Sequence, residues 1–409
     1  MPAPCDWYEN QVVLLTGATG NLGGCFMHQL ALKLPTSKIY VLCRGSMSRA
    51  MEKWESSMPE HIDEIMETGK IQILTGDITQ PNLGLEPREL AMLQQEVTLV
   101  VHAAANFSFF QELSGAIRDN CAPVIELARM LLFFHKIQMF LYTSSIQSQA
   151  FRSDITLSET IAKISPNEEP CNAQLANILT TGQSPYSERF PTSYGLAKYL
   201  AEQLLVDLKA PFPILIVRPT SIGPAIRDPY PFYGPEESIP VYTFFQLVFQ
   251  ATDHRRLERF DAYNLDQVVD EIPVDLVVNT CLLHLAKGSN GVVHVGSQLY
   301  EPFTGGDFIR RIKQYVPPSL IEKVARVRVE KNAYFSNQVH DMYNRIRHDW
   351  RVDCGRSLGL KTTTGPIGLS IDSHQPEDYF RERIMHQARS VEAWIDNLDT
   401  PRIVGPRNV

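Results

Sequence analysis

A short apolar run, Val12-Val-Leu-Leu-Thr16, passes directly into Gly17-Ala-Thr-Gly20-Asn-Leu-Gly23-Gly24 and then into helix-forming sequence. No other feature constrains the fold of this chain as strongly. Gly17 permits a tight turn, Gly20 lets the backbone approach a pyrophosphate, and Gly23 lets helix and strand pack closely. The N-terminus of the following helix offers free amides and partial positive charge to phosphates. A buried-type strand before the glycines and a helix over residues 21–34 after them separate a dinucleotide site from an ordinary glycine-rich turn. Thr16, Thr19, Asn21 and Leu22, interleaved with the glycines, belong to the same expected cofactor contact.

Strand-like segments recur at residues 12–16, 38–43, 71–76, 97–103, 139–143, 213–218 and 291–296, with helix-length segments between most of them. That alternation predicts an α/β fold, a Rossmann-type doubly wound parallel sheet. Three stretches break the rhythm: 151–191, rich in Ser, Thr, Asn, Glu and Pro; 223–263, crowded with proline and aromatics; and everything after Leu299. Such insertions follow strand ends, where an α/β sheet receives its ligand. The expected division is a cofactor-binding domain over 1–222, with 266–300 returning to it and 151–191 inserted near the site. A smaller, mainly helical substrate-binding region is expected from 223–265 and 301–409.

Composition excludes several classes. With 44% hydrophobic and 21% charged residues in 409, the chain can bury a sizeable core. The longest apolar stretch, 127–142, is interrupted by Arg129, His135, Lys136 and Gln138, so no transmembrane segment is expected. Met1-Pro-Ala-Pro-Cys-Asp-Trp7 lacks the charged and apolar regions of a secretory signal, which makes a cytoplasmic protein the expectation. The seven cysteines are scattered and the eleven histidines form no H-x-x-x-H pair, so neither a disulfide framework nor a metal site is expected. A net charge of −8 argues against nucleic-acid binding and requires any phosphate recognition to be local.

Arg44, just after the second strand segment, stands where an acidic residue would accept the ribose hydroxyls of NAD. A guanidinium there pairs instead with a 2′-phosphate and points to NADPH. Asp77, followed by Ile78 at the third strand end, is suited either to the adenine amine or to capping the next turn. Ala103, Ala104 and Ala105 form a thin wall at the fourth strand end, where His102 is expected to pack rather than to transfer protons. Ser145 ends the fifth strand, with Ser144 as its possible double, and Tyr194 and Lys198 share one face of a helix over 192–208. The ammonium is expected to lower the phenol pKa and to reach a ribose hydroxyl, while phenol and serine stabilise and protonate a developing oxyanion. Asn120 is a candidate for holding the lysine through water, against simple polar packing.

Taken together, TGATGNLGG, GDIT, the strand end TSS and YGLAK resemble the extended short-chain dehydrogenase/reductase superfamily. Three further stretches, DITQPNLGL (77–85), RPTSIGPAIRDPYPF (218–232) and EIPVDLVVN (271–279), resemble its fatty acyl-CoA reductase and thioester reductase branch. Pro219, Thr220 and Ile222 of the second stretch complete the cofactor set. The resemblance implies NADPH-dependent reduction of an acyl-CoA or carrier-bound acyl thioester to aldehyde or primary alcohol, with Ser145, Tyr194 and Lys198 catalytic and an acyl carrier protein as an alternative donor. A sugar epimerase or hydroxysteroid dehydrogenase, disfavoured by the last two stretches, and a non-catalytic NADP sensor are the competing readings.

Tyr230, Phe232, Tyr233, Tyr242, Phe244, Phe245 and Phe249 suggest as a group a greasy acyl pocket, although each alone reads as core packing. His254, Arg255, Arg256 and Arg259, and Arg310, Arg311 and Lys313, offer basic clusters for phosphates of coenzyme A or an acidic carrier. Solvated helix faces are the plainer alternative.

Overall fold

The computed structural model describes residues 4–108, 111–153, 155–234, 239–240, 266–326 and 350–399. Its centre is a seven-stranded sheet of β1 (Val12–Thr16), β2 (Lys38–Cys43), β3 (Ile71–Thr75), β4 (Leu99–His102), β5 (Met139–Thr143), β6 (Ile214–Pro219) and β7 (Gly291–Val295). The strands lie in the order β7-β6-β5-β4-β1-β2-β3, and every pairing is parallel. This is a Rossmann-type α/β fold, and the strand order reverses between β1 and β4. Chain connections therefore diverge to opposite faces there and leave a crevice beyond the strand C-termini.

The strands read as continuous apolar runs because helices cover both faces. Alternation along β1 shows it: Val13 and Leu15 enter one core with residues of the Val274–Ala286 helix, and Leu14 enters the other with residues of the Ser193–Asp207 helix. The predicted helix over 21–34 keeps α geometry only through Asn21–His28. Gln29–Lys33 forms a π-helical turn, and the buried Gln29 amide donates to Asn279 Oδ1 at 3.0 Å.

The insertion after β5 contributes Thr156–Leu157, which pairs in parallel with Arg351–Val352, and the Cys171–Thr181 helix. It is pinned to the Ser193–Asp207 helix by Tyr199, whose hydroxyl donates to Glu168 Oε2 at 2.7 Å. Beyond β7, Phe303–Thr304 pairs antiparallel with Val268–Val269, and the Gly305–Tyr315 and Pro376–Asp399 helices follow. Arg383 of the last helix makes a buried two-point ion pair with Glu271. All seven cysteines are free thiols. Among the described residues no helix is long and apolar enough to cross a membrane, and no group of side chains is arranged to hold a metal ion.

Candidate active site

The three glycines of the first turn differ in what requires them. Gly17 has φ +79°, and a Cβ added there would stand 2.5 Å from Ala104 N; a Cβ on Gly23 would stand 2.1 Å from Gly17 O. Backbone packing alone therefore demands those two. At Gly20 a Cβ would meet only Gly17 O, at 3.4 Å, so the protein leaves that side open. An open glycine at the start of the Asn21–His28 helix, where no side chain caps the first-turn amides, is a cradle that fits the diphosphate of a nicotinamide dinucleotide. Trp54 steadies the turn by donating from Nε1 to Ala18 O at 2.9 Å, a contact no motif signals. Thr19 is half-buried and Leu22 buried in this turn.

Thr16 and His102, paired in the β1–β4 register, share a 2.9 Å hydrogen bond between Oγ1 and Nδ1. Burial, with a smaller contribution from Lys198, lowers the His102 pKa to about 3, so it packs as a neutral ring. Ala103 and Ala104 are half-buried against the glycine turn and Ala105 is exposed. Arg44 is exposed at the end of β2. Asp77 caps its own turn, its Oδ1 accepting from Thr79 N at 2.9 Å and Thr79 Oγ1 at 2.8 Å, with Ile78 half-buried beside it. Pro219 ends β6, Thr220 donates from its amide to Val295 O at 2.9 Å, and Ile222 is half-buried.

Asn120 packs its side chain against polar backbone groups, one of the two readings its sequence position allows. Its Oδ1 accepts from Asn106 N at 2.8 Å and its Nδ2 donates to Asn106 O at 2.9 Å and Ala116 O at 3.3 Å. The amide thus holds the loop after Ala105.

Ser145 and Tyr194 do come together: the serine hydroxyl stands close enough to the phenol to favour its ionised form. Ser145 Oγ also caps the short helical turn Ile146–Gln149, accepting from Gln147 N at 3.2 Å. Thr192 caps the Ser193–Asp207 helix, which presents Tyr194 and Lys198 one turn apart. Gly195 lets that helix approach closely, since a Cβ there would stand 2.8 Å from Gln147 O. Lys198 is buried; its Nζ donates to Thr143 O at 2.8 Å and lies 5.6 Å from the Tyr194 ring centre and 4.8 Å from that of Tyr142. Ser144 faces the other way, donating to Glu202 Oε1 at 2.5 Å, which resolves the ambiguity between the two serines.

The electrostatics differ from expectation. Burial pushes the Tyr194 phenol well above its usual range, and the nearby Ser145 hydroxyl only partly offsets this. Lys198 itself is lowered to about 7 by burial, against the opposing pull of Glu202 and Cys121.

Three of the aromatic residues in the segment after β6 are described, and they pack against neighbouring elements. Tyr233 is buried and donates to Asn21 O at 3.0 Å, Tyr230 donates to Ser57 O at 2.7 Å, and Phe232 stacks on Tyr379 at 5.1 Å. These rings clamp the segment onto the glycine helix, the Met47–Ser57 helix and the last helix. Arg310 pairs with Asp307, and Arg311 pairs with Glu377 while its guanidinium lies 4.2 Å from the Phe380 ring centre; Lys313 is exposed. Within that cluster both arginines are engaged inside the protein. Tyr242, Phe244, Phe245, Phe249, His254, Arg255, Arg256 and Arg259 lie outside the described residues.

Residues 15–281 match the NAD-binding family described as male sterility protein. The chain belongs to that family. Among its relatives are proteins named fatty acyl-CoA reductase 1: that of Xenopus laevis is 27% identical over 74% of this chain and 59% of its own length. That of Mus musculus is 26% identical over 68% of this chain and 55% of its own. The chain thus spans somewhat more than half the length of these two relatives. In fold it is similar to the terminal R domain from the myxalamid PKS-NRPS biosynthetic pathway, with a TM-score of 0.64, 18% identity and coverage of 96% of this chain and 93% of that one.

Two residues central to the site were assigned no role from the sequence, although Arg218 opens the stretch 218–232. Glu202 and Arg218, both fully buried, form a two-point ion pair behind Ser145 and Lys198. The available signals were a carboxylate four residues beyond Lys198 on one helix face and an arginine inside an apolar strand.

Proposed function

We propose that this member of the male sterility family is an NADPH-dependent oxidoreductase that reduces acyl thioesters, fatty acyl-CoA first among them, to the aldehyde or primary alcohol. The approach of the Ser145 hydroxyl to the Tyr194 phenol, beside buried Lys198, carries the reading. The fatty acyl-CoA reductases among the relatives support the substrate class, and exposed Arg44 at the end of β2 supports preference for the 2′-phosphate.

The glycine turn around Gly20 would hold NADPH, which would supply the hydride for the substrate carbonyl. Ser145 and Tyr194 donate to that oxygen as negative charge builds on it. Because burial holds the phenol protonated through the neutral range, Tyr194 arrives with a proton to give to the alkoxide. Lys198, fixed by Thr143 O, orients the ribose. A thioester reduced in this way gives a hemithioacetal, which collapses to aldehyde and free thiol; with a second NADPH in place of the spent cofactor, the same three side chains would serve reduction of the aldehyde to the alcohol. The regions 223–265 and 301–409 are the parts we assign to the acyl group.

The test offers purified protein dodecanoyl-CoA and a dodecanoyl carrier protein, follows NADPH oxidation and identifies the product. Tyr194→Phe is expected to lower turnover by on the order of 10²–10⁴-fold with NADPH affinity nearly unchanged. Wild-type turnover in that variant removes the catalytic assignment, and NADPH oxidation with neither thioester removes the substrate class.

A further inference from the structure

The Glu202 carboxylate gathers more of the site than any residue that would touch substrate. Its Oε1 accepts from Ser144 Oγ at 2.5 Å, from Ser148 Oγ at 2.9 Å and from Arg218 Nε at 2.9 Å, and its Oε2 accepts from Arg218 Nη2 at 2.5 Å. Ser144 and Ser148 bracket Ser145, one at the end of β5 and one in the turn that Ser145 caps. Glu202 itself rides one helical turn beyond Lys198 and two beyond Tyr194. One side chain therefore ties the hydroxyl-bearing strand end to the helix that carries phenol and ammonium.

Arg218 extends the connection. Its Nη1 donates to Thr160 O at 3.0 Å and lies 3.2 Å from His294 Nε2. His294 Nδ1 is 3.0 Å from Asp353 O, and its amide donates to Glu159 Oε1 at 2.8 Å, whose other oxygen accepts from Arg356 N at 2.8 Å. The network thus runs from the catalytic helix through β6 and β7 to the insertion and the segment near residue 353. Burying a carboxylate and a guanidinium costs several kcal/mol unless geometry and further hydrogen bonds repay it, and replacing such a pair by apolar side chains is often neutral or stabilising. Stability alone is therefore a weak reason for this pair, whereas holding Ser145 at a fixed distance from Tyr194 is a specific one.

We propose that Glu202 is a positioning residue: its carboxylate sets the separation of Ser145 from Tyr194 and Lys198 and supplies the anion that faces the lysine across one helical turn. The proposal rests on reading those three as the catalytic set. Around Lys198, the titratable groups among the described residues include Tyr194 on its own helix, His102 on β4, Tyr142 on β5 and Cys121, with Arg218 on the far side of Glu202. Against the larger effect of burial, Glu202 raises the lysine's pKa, so its replacement by glutamine, which also leaves Arg218 unbalanced, lowers the pH at which the lysine gives up its proton.

Glu202→Gln, Ser148→Ala and Ser148→Thr in the full chain test this, with thermal unfolding, NADPH affinity from pH 6 to 9.5 and dodecanoyl-CoA turnover measured for each. Glu202→Gln is expected to lower kcat by on the order of 10–100-fold with KM for the thioester little changed, and to move the alkaline fall in NADPH affinity to lower pH. Ser148→Ala is expected to lower kcat by roughly 3–10-fold, with Ser148→Thr restoring it. Folded variants with wild-type kcat and an unmoved NADPH profile overturn the proposal. If Glu202→Gln does not fold, the Ser148 pair decides: loss and restoration support the role, and wild-type kcat in Ser148→Ala overturns it. If the wild type turns over no thioester, the substrate reading fails separately. The pH profile of NADPH binding then decides alone, a shift supporting the role of Glu202 and no shift overturning it.

Discussion

Gly17→Ala and Gly20→Ala should separate what the fold requires of the glycine turn from what a dinucleotide requires. At position 17 the backbone has φ +79°, which costs a residue with a Cβ about 1–2 kcal/mol. The new methyl would also stand 2.5 Å from Ala104 N, a backbone atom on β4's exit that cannot swing aside. Relief of such overlap costs about 1–3 kcal/mol, so Gly17→Ala is expected to lose about 2–5 kcal/mol of unfolding free energy. Gly20 has φ −98° and ψ 173°, an ordinary extended conformation, and its added methyl meets only Gly17 O at 3.4 Å. Alanine is a poorer helix N-cap than glycine but restricts the unfolded chain, and these effects offset to within about 1 kcal/mol. The methyl does fill the open side, so NADPH affinity should fall by on the order of 10–100-fold. Urea unfolding and fluorescence titration of NADPH measure the two quantities on the same samples. Wild-type NADPH affinity in Gly20→Ala, or a stability loss there equal to that of Gly17→Ala, would refute the assignment of the open side to the cofactor.

Arg44→Ala should weaken NADPH by roughly 10-fold or more while changing NADH little, and an equal loss for both in parallel titrations would remove the phosphate contact. Asn120→Ala leaves the Asn106 amide and carbonyl without their partner and should cost about 1–3 kcal/mol, with faster hydrogen exchange in residues 103–108; unchanged exchange there contradicts the loop-holding role. Lys198 titrates near pH 7 in the fold and near 10.4 unfolded. Between those values the unfolded chain binds the extra proton, so this group's contribution to stability rises with pH across that window and is lost as pH falls through about 7. Wild type should therefore gain stability relative to Lys198→Met between pH 7 and 9.5, and parallel urea curves at both pH values count against the buried lysine.

Much of the fold was legible because strands buried on both faces must be continuously apolar. The predicted segments 12–16, 38–43 and 139–143 coincide with β1, β2 and β5, and the others differ by one or two residues at their ends. Ser145 and Tyr194 were legible as partners because a strand end and the next helix lie on the same rim of a parallel sheet. The aromatic residues after β6 were harder. A phenol that lines a pocket and one that reaches back to a backbone carbonyl, as Tyr233 does to Asn21, leave the same mark in a sequence. The phenol pKa was misjudged for a related reason: four-residue spacing reports that Tyr194 and Lys198 are near each other, but not that both are buried.

From the order of its residues alone, this chain specified a doubly wound sheet with a dinucleotide turn at the end of β1, since glycine geometry and apolar runs are local properties of the backbone. Only the tertiary structure decided which serine meets the phenol, what Asn120 holds, and that Glu202 and Arg218 stand together behind the site. Those outcomes depend on side chains far apart in sequence being desolvated together, and desolvation belongs to the packed molecule rather than to any segment of it.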